Sequence, residues 1–256
     1  MLLAVDVGNS HMVIGLFAQR ELRCHWRVKT DSSCTVDELA AMFHGLFAME
    51  GRQFGEVDGV VIASVVPPMA LTWGAFTAKY LRCDPLMVTN AIKTGMEIRL
   101  DNPAEVGADR IVNAVAAYQE YQSPLVIVDF GTAITLDCVS GDGAYLGGAI
   151  APGMAISLEA LGSRTAKLPR VDISSPPPNA IGTNTIDAIK SGILFGYAGM
   201  IEGLIKRIRV QMAPEKPRVI ATGGMASLIA PYTEAIEAVD PMLTLKGLQI
   251  LHEQNR

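Results

Sequence analysis

The chain lacks an excess of basic residues. Its 21 Lys and Arg against 26 Asp and Glu leave a formal net charge of −5 over 256 residues, and a non-specific nucleic-acid binder needs the opposite balance. It has no uninterrupted apolar run of the roughly 18 residues that a membrane helix takes. It does not open like a secreted precursor either: no basic segment precedes the first apolar run, and Asp6 interrupts that run. The expectation is a cytoplasmic protein that partners neither nucleic acid nor membrane. The four cysteines, Cys24, Cys34, Cys83 and Cys138, show no CxxC pairing, so neither a disulfide framework nor a zinc site is indicated and free thiols in a reducing compartment follow. Also missing are a G-x-x-x-x-G-K-[ST] loop, an HExxH pair and a GxSxG elbow. Gly141, Gly143 and Gly147 miss the dinucleotide spacing, and His11, His25, His44 and His252 fall in no ligand pattern.

What is present is a repeat. Leu2 to Ser10 read LLAVDVGNS, and Leu125 to Ala133 read LVIVDFGTA. Each is four apolar residues, then Asp-x-Gly and a small polar residue. A short apolar run bounded by Gly reads as a buried strand, and a carboxylate at its end is costly unless something binds it. Two such strand ends, half a chain apart, suggest two similar halves facing one cleft, with carboxylates and Gly turns suited to a nucleotide phosphate chain and its metal. With 50% hydrophobic and 18% charged residues, the chain is globular and long enough for two cores.

The first half reads as strands over Leu2–Val7, Met12–Ala18 and Glu21–Lys29, a helix over Val36–Glu50, a strand over Val60–Val66 stopped by Pro67-Pro68, a helix over Ala70–Leu81, a loop over 92–106 and a helix from Ala108 to Tyr121. The second half repeats the pattern. Strands are expected at Leu125–Phe130, Ile134–Val139 and Ala144–Ile150, with a hairpin turn at Ser140–Gly143. Helices follow at Gly153–Leu161 and Asn184–Val210 around a proline-rich loop at Pro169–Pro178, then a strand at Arg218–Thr222 and a helix at Met225–Leu228. The fold class is α/β, two mixed sheets flanked by helices, divided as 1–121 and 122–256.

In the first turn, Gly8 permits close backbone approach, while Asn9 and Ser10 offer donors to phosphate oxygens. Asp6 repels phosphate and suits a hydrated Mg²⁺; an Asx-type hairpin turn is the plain alternative. In the second turn, Thr132 is the phosphate-side donor and Asp129 a cation ligand. Thr222-Gly223-Gly224 leaves a flat surface suited to an adenine or ribose. Gly107-Ala108-Asp109-Arg110 is an N-cap with a solvated Arg on local statistics; the functional alternative makes Asp109 a general base and Arg110 a substrate-binding group. The glycines from Gly147 to Gly153 suggest a strand end that lets substrate or nucleotide come close. Gly182-Thr183-Asn184-Thr185 suits simple capping. Together these motifs read as an ATP-dependent phosphotransferase.

In order, DVGNS, NPAEVGADRIVNA, VDFGTAITLD, GGAIAPG, SRTAKLPR, NTIDAIKSG and ATGG resemble type III pantothenate kinase, from Val5 to the Thr222 turn. The wider group is the acetate kinase, actin and sugar kinase superfamily, so the resemblance implies two duplicated ribonuclease H-like (actin-like ATPase) domains. It implies phosphorylation of pantothenate by ATP to 4'-phosphopantothenate, the first step of coenzyme A biosynthesis. It assigns Asp109 as proton acceptor, Gly107, Ala108, Asp109 and Arg110 with Leu100 as pantothenate contacts, and Asp6, Val7, Gly8, Asn9, Ser10, His11, Met12, Val13 and Thr132 as ATP contacts. Asp6 would hold Mg²⁺ through water, and Asp129 a monovalent cation, K⁺ or NH₄⁺. The implied assembly is a homodimer in which Thr185 reaches the partner's substrate pocket. Two residues depart from the pattern. Ser10 replaces a usual Thr and keeps the hydroxyl. Leu100 replaces a common Tyr, a loss of about 0.5–1.5 kcal/mol for one hydrogen bond. Two other readings are a non-catalytic nucleotide-binding regulatory relative, and a kinase of the same superfold acting on a sugar or acetate.

Overall fold

The computed structural model describes residues 1–89 and 91–256. It contains two compact units. The first comprises Met1–Met96, Asp101–Gln119 and Met242–Arg256; the second comprises Glu97–Leu100 and Glu120–Pro241.

In the first unit, β1 (Leu2–Val7), β2 (His11–Ala18) and β3 (Glu21–Lys29) form an antiparallel meander, with β4 (Gly59–Ser64) and β5 (Leu86–Met87) added in parallel. The sheet order is β3-β2-β1-β4-β5. Alternation along β1 sends Leu3, Val5 and Val7 to one face, where they meet Phe43, Phe47 and Trp73. Those aromatics come from α1 (Val36–Met49) and α2 (Pro67–Phe76). A reciprocal capping box starts α1: Thr35 Oγ1 accepts from the Glu38 N–H, and the Glu38 carboxylate accepts from the Thr35 N–H at 2.9 Å. The sequence places a strand through Val66 and a helix from Ala70. Instead β4 ends at Ser64, and Pro67-Pro68 open α2, where a missing N–H costs nothing. The α-helix then gives way to a π-helical turn at Thr77–Leu81.

The opposite face of this sheet is covered by α7 (Leu243–Gln254). Gly15 and Gly59 make room for it: a Cβ on either would stand 2.9 Å from Leu245 Cδ1 or His252 Nε2. Its Gly247 crosses α3 (Ala108–Tyr121) so closely that a Cβ would meet the Val112 carbonyl oxygen at 2.2 Å, and Thr244 Oγ1 donates to Asn113 Oδ1 at 2.7 Å. A cut at residues 121 and 122 therefore does not describe these units. The last helix completes the first sheet, and Glu97–Leu100 join the second.

The second unit repeats the topology. Strands β6 (Leu125–Phe130), β7 (Ala133–Val139) and β8 (Tyr145–Pro152) form the meander, and β9 (Arg218–Thr222) and β10 (Ala238–Val239) add in parallel. The order β10-β9-β6-β7-β8 is the first sheet's order read from the other edge. Val126, Val128 and Phe130 pack under α5 (Thr185–Gln211). At 27 residues α5 is long and apolar enough to cross a membrane. Here Ile189, Ile193, Leu194, Ile201 and Ile205 are buried in the unit's core instead. Helices α4 (Met154–Arg164) and α6 (Ala226–Ile229) complete the unit.

Candidate functional site

The first unit carries the Asp6 turn. Asp6 sits across from Val13 on β2 and Ala63 on β4, half-buried. The chain reverses through Gly8, whose N–H donates to the His11 carbonyl at 3.1 Å; a Cβ on Gly8 would crowd that oxygen at 3.0 Å. The reversal is clamped by Thr30, just past β3. Its Oγ1 donates to the Gly8 carbonyl at 2.7 Å and its N–H to the Ser10 carbonyl at 3.0 Å. The carbonyls thus turn into the protein, and Asn9 and Ser10 stand exposed. Of the eight residues from Asp6 to Val13, Val7 and Met12 are core residues, with Trp73 Nε1 donating to Met12 Sδ at 3.3 Å; only their backbone can face a ligand. Thr30 is invisible to motif reading, because a single Thr at a strand end is ordinary.

Asp109 lies in the first turn of α3, and its Oδ1 accepts from the Arg110 N–H at 2.9 Å. The carboxylate folds back over Gly107, where a Cβ would stand 2.6 Å from Oδ1. Gly107 is therefore the residue that allows this carboxylate its position. Burial pushes the Asp109 carboxyl above its ordinary value, against the smaller opposing effects of the Arg110 N–H and the Arg110 charge. Such a group accepts a proton more readily than an exposed aspartate.

In the second unit, Asp129 occupies the same place on β6 that Asp6 has on β1. It lies opposite Thr135 on β7 and Thr222 on β9. The Thr222 turn serves it directly. Gly223 has φ +91°, and a Cβ there would fall 2.4 Å from Asp129 Oδ1 and 2.6 Å from the Phe130 nitrogen. The Gly131-Thr132 turn is held by the Gly153 N–H, which donates to the Thr132 carbonyl at 3.1 Å. A Cβ on Gly153 would stand 2.2 Å from that oxygen.

The glycines of β8 also answer to packing within the protein. A Cβ on Gly148 would fall 1.7 Å from the Leu136 carbonyl oxygen, and Gly147, at φ +101°, faces Leu100 Cδ2 at 3.0 Å. They admit neighbouring protein. Leu100 belongs to a short strap held on β8: the Arg99 N–H donates to the Tyr145 carbonyl at 2.9 Å, and the Tyr145 N–H to the Glu97 carbonyl at 2.8 Å. Below the strap lies a buried carboxylate that motif reading missed, Asp137, which accepts from Tyr145 OH at 2.6 Å and Thr135 Oγ1 at 2.9 Å. Its partners are eight and two residues away, a spacing without a signature. Thr185 is exposed at the first position of α5, behind the Asn184 cap, whose Oδ1 accepts from the Asp187 N–H at 2.9 Å. The capping expectation for this tetrapeptide therefore holds.

Among the described residues no group of three or more His, Cys, Asp or Glu is arranged to hold a metal ion. Asp6, at the mouth of the first turn, offers one carboxylate, which suits Mg²⁺ bound through water and substrate phosphate.

Residues 2–207 match the family described as type III pantothenate kinase. A type III pantothenate kinase of Pelobacter propionicus is 52% identical over 256 residues, covering 100% of both chains. One of Moorella thermoacetica is 50% identical over 255 residues, again covering 100% of each. Among solved structures, component A of the Acidaminococcus fermentans (R)-2-hydroxyglutaryl-CoA dehydratase aligns with TM-score 0.56 at 14% identity, covering 97% of this chain and 94% of that one. The inorganic polyphosphate/ATP-glucomannokinase of an Arthrobacter strain aligns with TM-score 0.52 at 14% identity over 99% and 98%. At that identity the likeness speaks for the fold alone, the duplicated ATPase fold of the actin and sugar kinase group.

Proposed function

The chain belongs to the type III pantothenate kinase family, and on that premise we propose that it phosphorylates the primary hydroxyl of pantothenate with ATP, the entry step of coenzyme A biosynthesis. The observation that carries the reaction is the Asp109 carboxylate, held over Gly107 and raised by burial. Asp109 accepts the proton of the attacking hydroxyl as the phosphoryl group transfers; Gly107, Ala108, Arg110 and Leu100 position the pantothenate. Gly8 lets the phosphates come close, and the donors of Asn9 and Ser10, with Thr132 of the second turn, orient them. Asp6 would hold Mg²⁺ through water and Asp129 a monovalent cation. Such cations would supply the charge neutralisation on which phosphoryl transfer depends, together with positioning.

Thr185 completes a substrate pocket in a second copy of the chain. Ile181 and Ile186, 84% and 49% exposed on either side of it, support an apolar contact there. The reaction belongs in the cytoplasm.

ADP release by the purified protein with ATP and Mg²⁺, measured with and without pantothenate in potassium, ammonium or sodium salt, tests this reading. Release that requires pantothenate and falls in sodium is the expected result. No release with ATP still bound would move the protein to a regulatory role or another acceptor, and equal rates in all three salts would remove the cation from Asp129.

A further inference from the structure

The first turn carries no cationic side chain of its own. Asn9 and Ser10 offer only neutral donors, Asp6 is negative, and the sequence has no Walker lysine. A nucleotide's terminal phosphates carry several negative charges that a kinase must balance. The strand register shows where a protein cation stands. Asp6 lies opposite Val13, and Val13 opposite Arg27; two residues nearer the turn, His11 lies opposite Lys29. Residues directly opposite in antiparallel strands share a face. Asp6, His11, Arg27 and Lys29 therefore project from one side of the sheet, at the end where β1 reaches its turn.

Arg27 Nη2 lies 3.2 Å from His11 Nδ1, and His11 in turn accepts the Gly8 N–H through its carbonyl. The guanidinium is thus one residue removed from the turn. The Thr30 clamp fixes the end of β3 to the same reversal. Burial and the charges of Arg27 and Lys29 hold the His11 imidazole below its usual range, so it stays a neutral acceptor for the guanidinium. Arg27 has His11 as its side-chain hydrogen-bond neighbour, and the charge of Lys29 acts on the exposed Asp31 carboxylate two residues on. Arg23 on the same strand, by contrast, pairs with Glu21 at 2.8 Å.

We propose that Arg27, supported by Lys29, is the cationic side chain that receives the terminal phosphates of the nucleotide at the first turn. It rests on the kinase reading above. Arg27 is exposed on an edge strand, so its replacement leaves the core intact. Its planar fork matches two phosphate oxygens at once.

Calorimetric titration of the whole protein with MgATP, MgADP and adenosine tests this, comparing wild type with Arg27→Gln, Arg27→Lys, Lys29→Gln and Arg23→Gln. Arg27→Gln should weaken ATP and ADP by about 10- to 100-fold, the loss typical of a charge-assisted hydrogen bond, and leave adenosine unchanged. Arg27→Lys should recover part of the loss, Lys29→Gln should lose less, and Arg23→Gln should match wild type. ATP affinity of Arg27→Gln within twofold of wild type would overturn the assignment. Equal loss of adenosine would overturn it too, by showing that Arg27 shapes the turn and not the phosphate contact. Failure of the wild type to bind ATP would instead bring down the kinase reading itself.

Discussion

Replacing Gly153 with Ala isolates the contribution of the second turn. Gly153 has φ −70° and ψ 157°, a conformation any residue adopts, so the substitution brings no backbone strain. Its effect is steric: the new methyl would stand 2.2 Å from the Thr132 carbonyl oxygen and 2.6 Å from that of Gly131. A carbon and an oxygen settle about 1 Å further apart, and a displacement of that size at a reacting centre costs about 100-fold in rate. Overpacking of this kind destabilises by roughly 1–3 kcal/mol, which for a chain of this size lowers Tm by roughly 2–12 °C. Thermal melts and pantothenate-dependent ADP release read both quantities. Gly45→Ala is the control, because nothing lies within 4 Å of a Cβ there in α1; it should gain about 0.5–1 kcal/mol and keep full activity. A Gly153→Ala protein that melts and turns over like wild type would refute the claim that Thr132 is held in place by Gly153.

Asp109→Asn should lower kcat by about 10²–10⁴-fold, the usual share of a general base, while raising Tm at neutral pH. The sign follows from the raised carboxyl: the folded state binds the proton more tightly than the unfolded one, so ionised Asp109 costs stability above its unfolded pKa. The gain should vanish as pH falls below 3.8, the ordinary value; a gain unchanged at acid pH would count against burial as its cause. Thr30→Val removes the 2.7 Å bond to the Gly8 carbonyl, and should cost about 0.5–1.5 kcal/mol in stability and raise KM for ATP but not for pantothenate. Matching rises in both KM values would separate Thr30 from the phosphate turn.

Much of this was legible because strand and turn are local. The two Asp-x-Gly strands announced the duplicated sheets, since four apolar residues closed by Gly admit few other structures, and β1, β3, α3, β6 and β9 stand where the sequence places them. Other parts depend on partners distant in sequence. Gly247 in the middle of α7 lowers helix propensity, and its purpose is visible only against the Val112 carbonyl. The two-residue strands β5 and β10 are too short to show periodicity. The contacts of Gly147 and Gly148 are not legible either, because a glycine opened for a neighbouring strand looks the same in sequence as one opened for substrate. Thr30 and Asp137 act through contacts that no local spacing encodes.

The return of α7 to the first sheet has a consequence for synthesis on the ribosome. All five strands of that sheet have been made once Met87 has emerged, and α3 is complete at Tyr121. The face carrying Gly15 and Gly59 stays bare until Leu243–Gln254 follow, after the entire second unit. Closing so long a loop is slow, and an apolar sheet face left waiting invites aggregation. The unit that begins first is thus the one that finishes last, and a nascent chain halted before Leu243 would hold a second unit with all its strands beside a first with one side of its sheet uncovered.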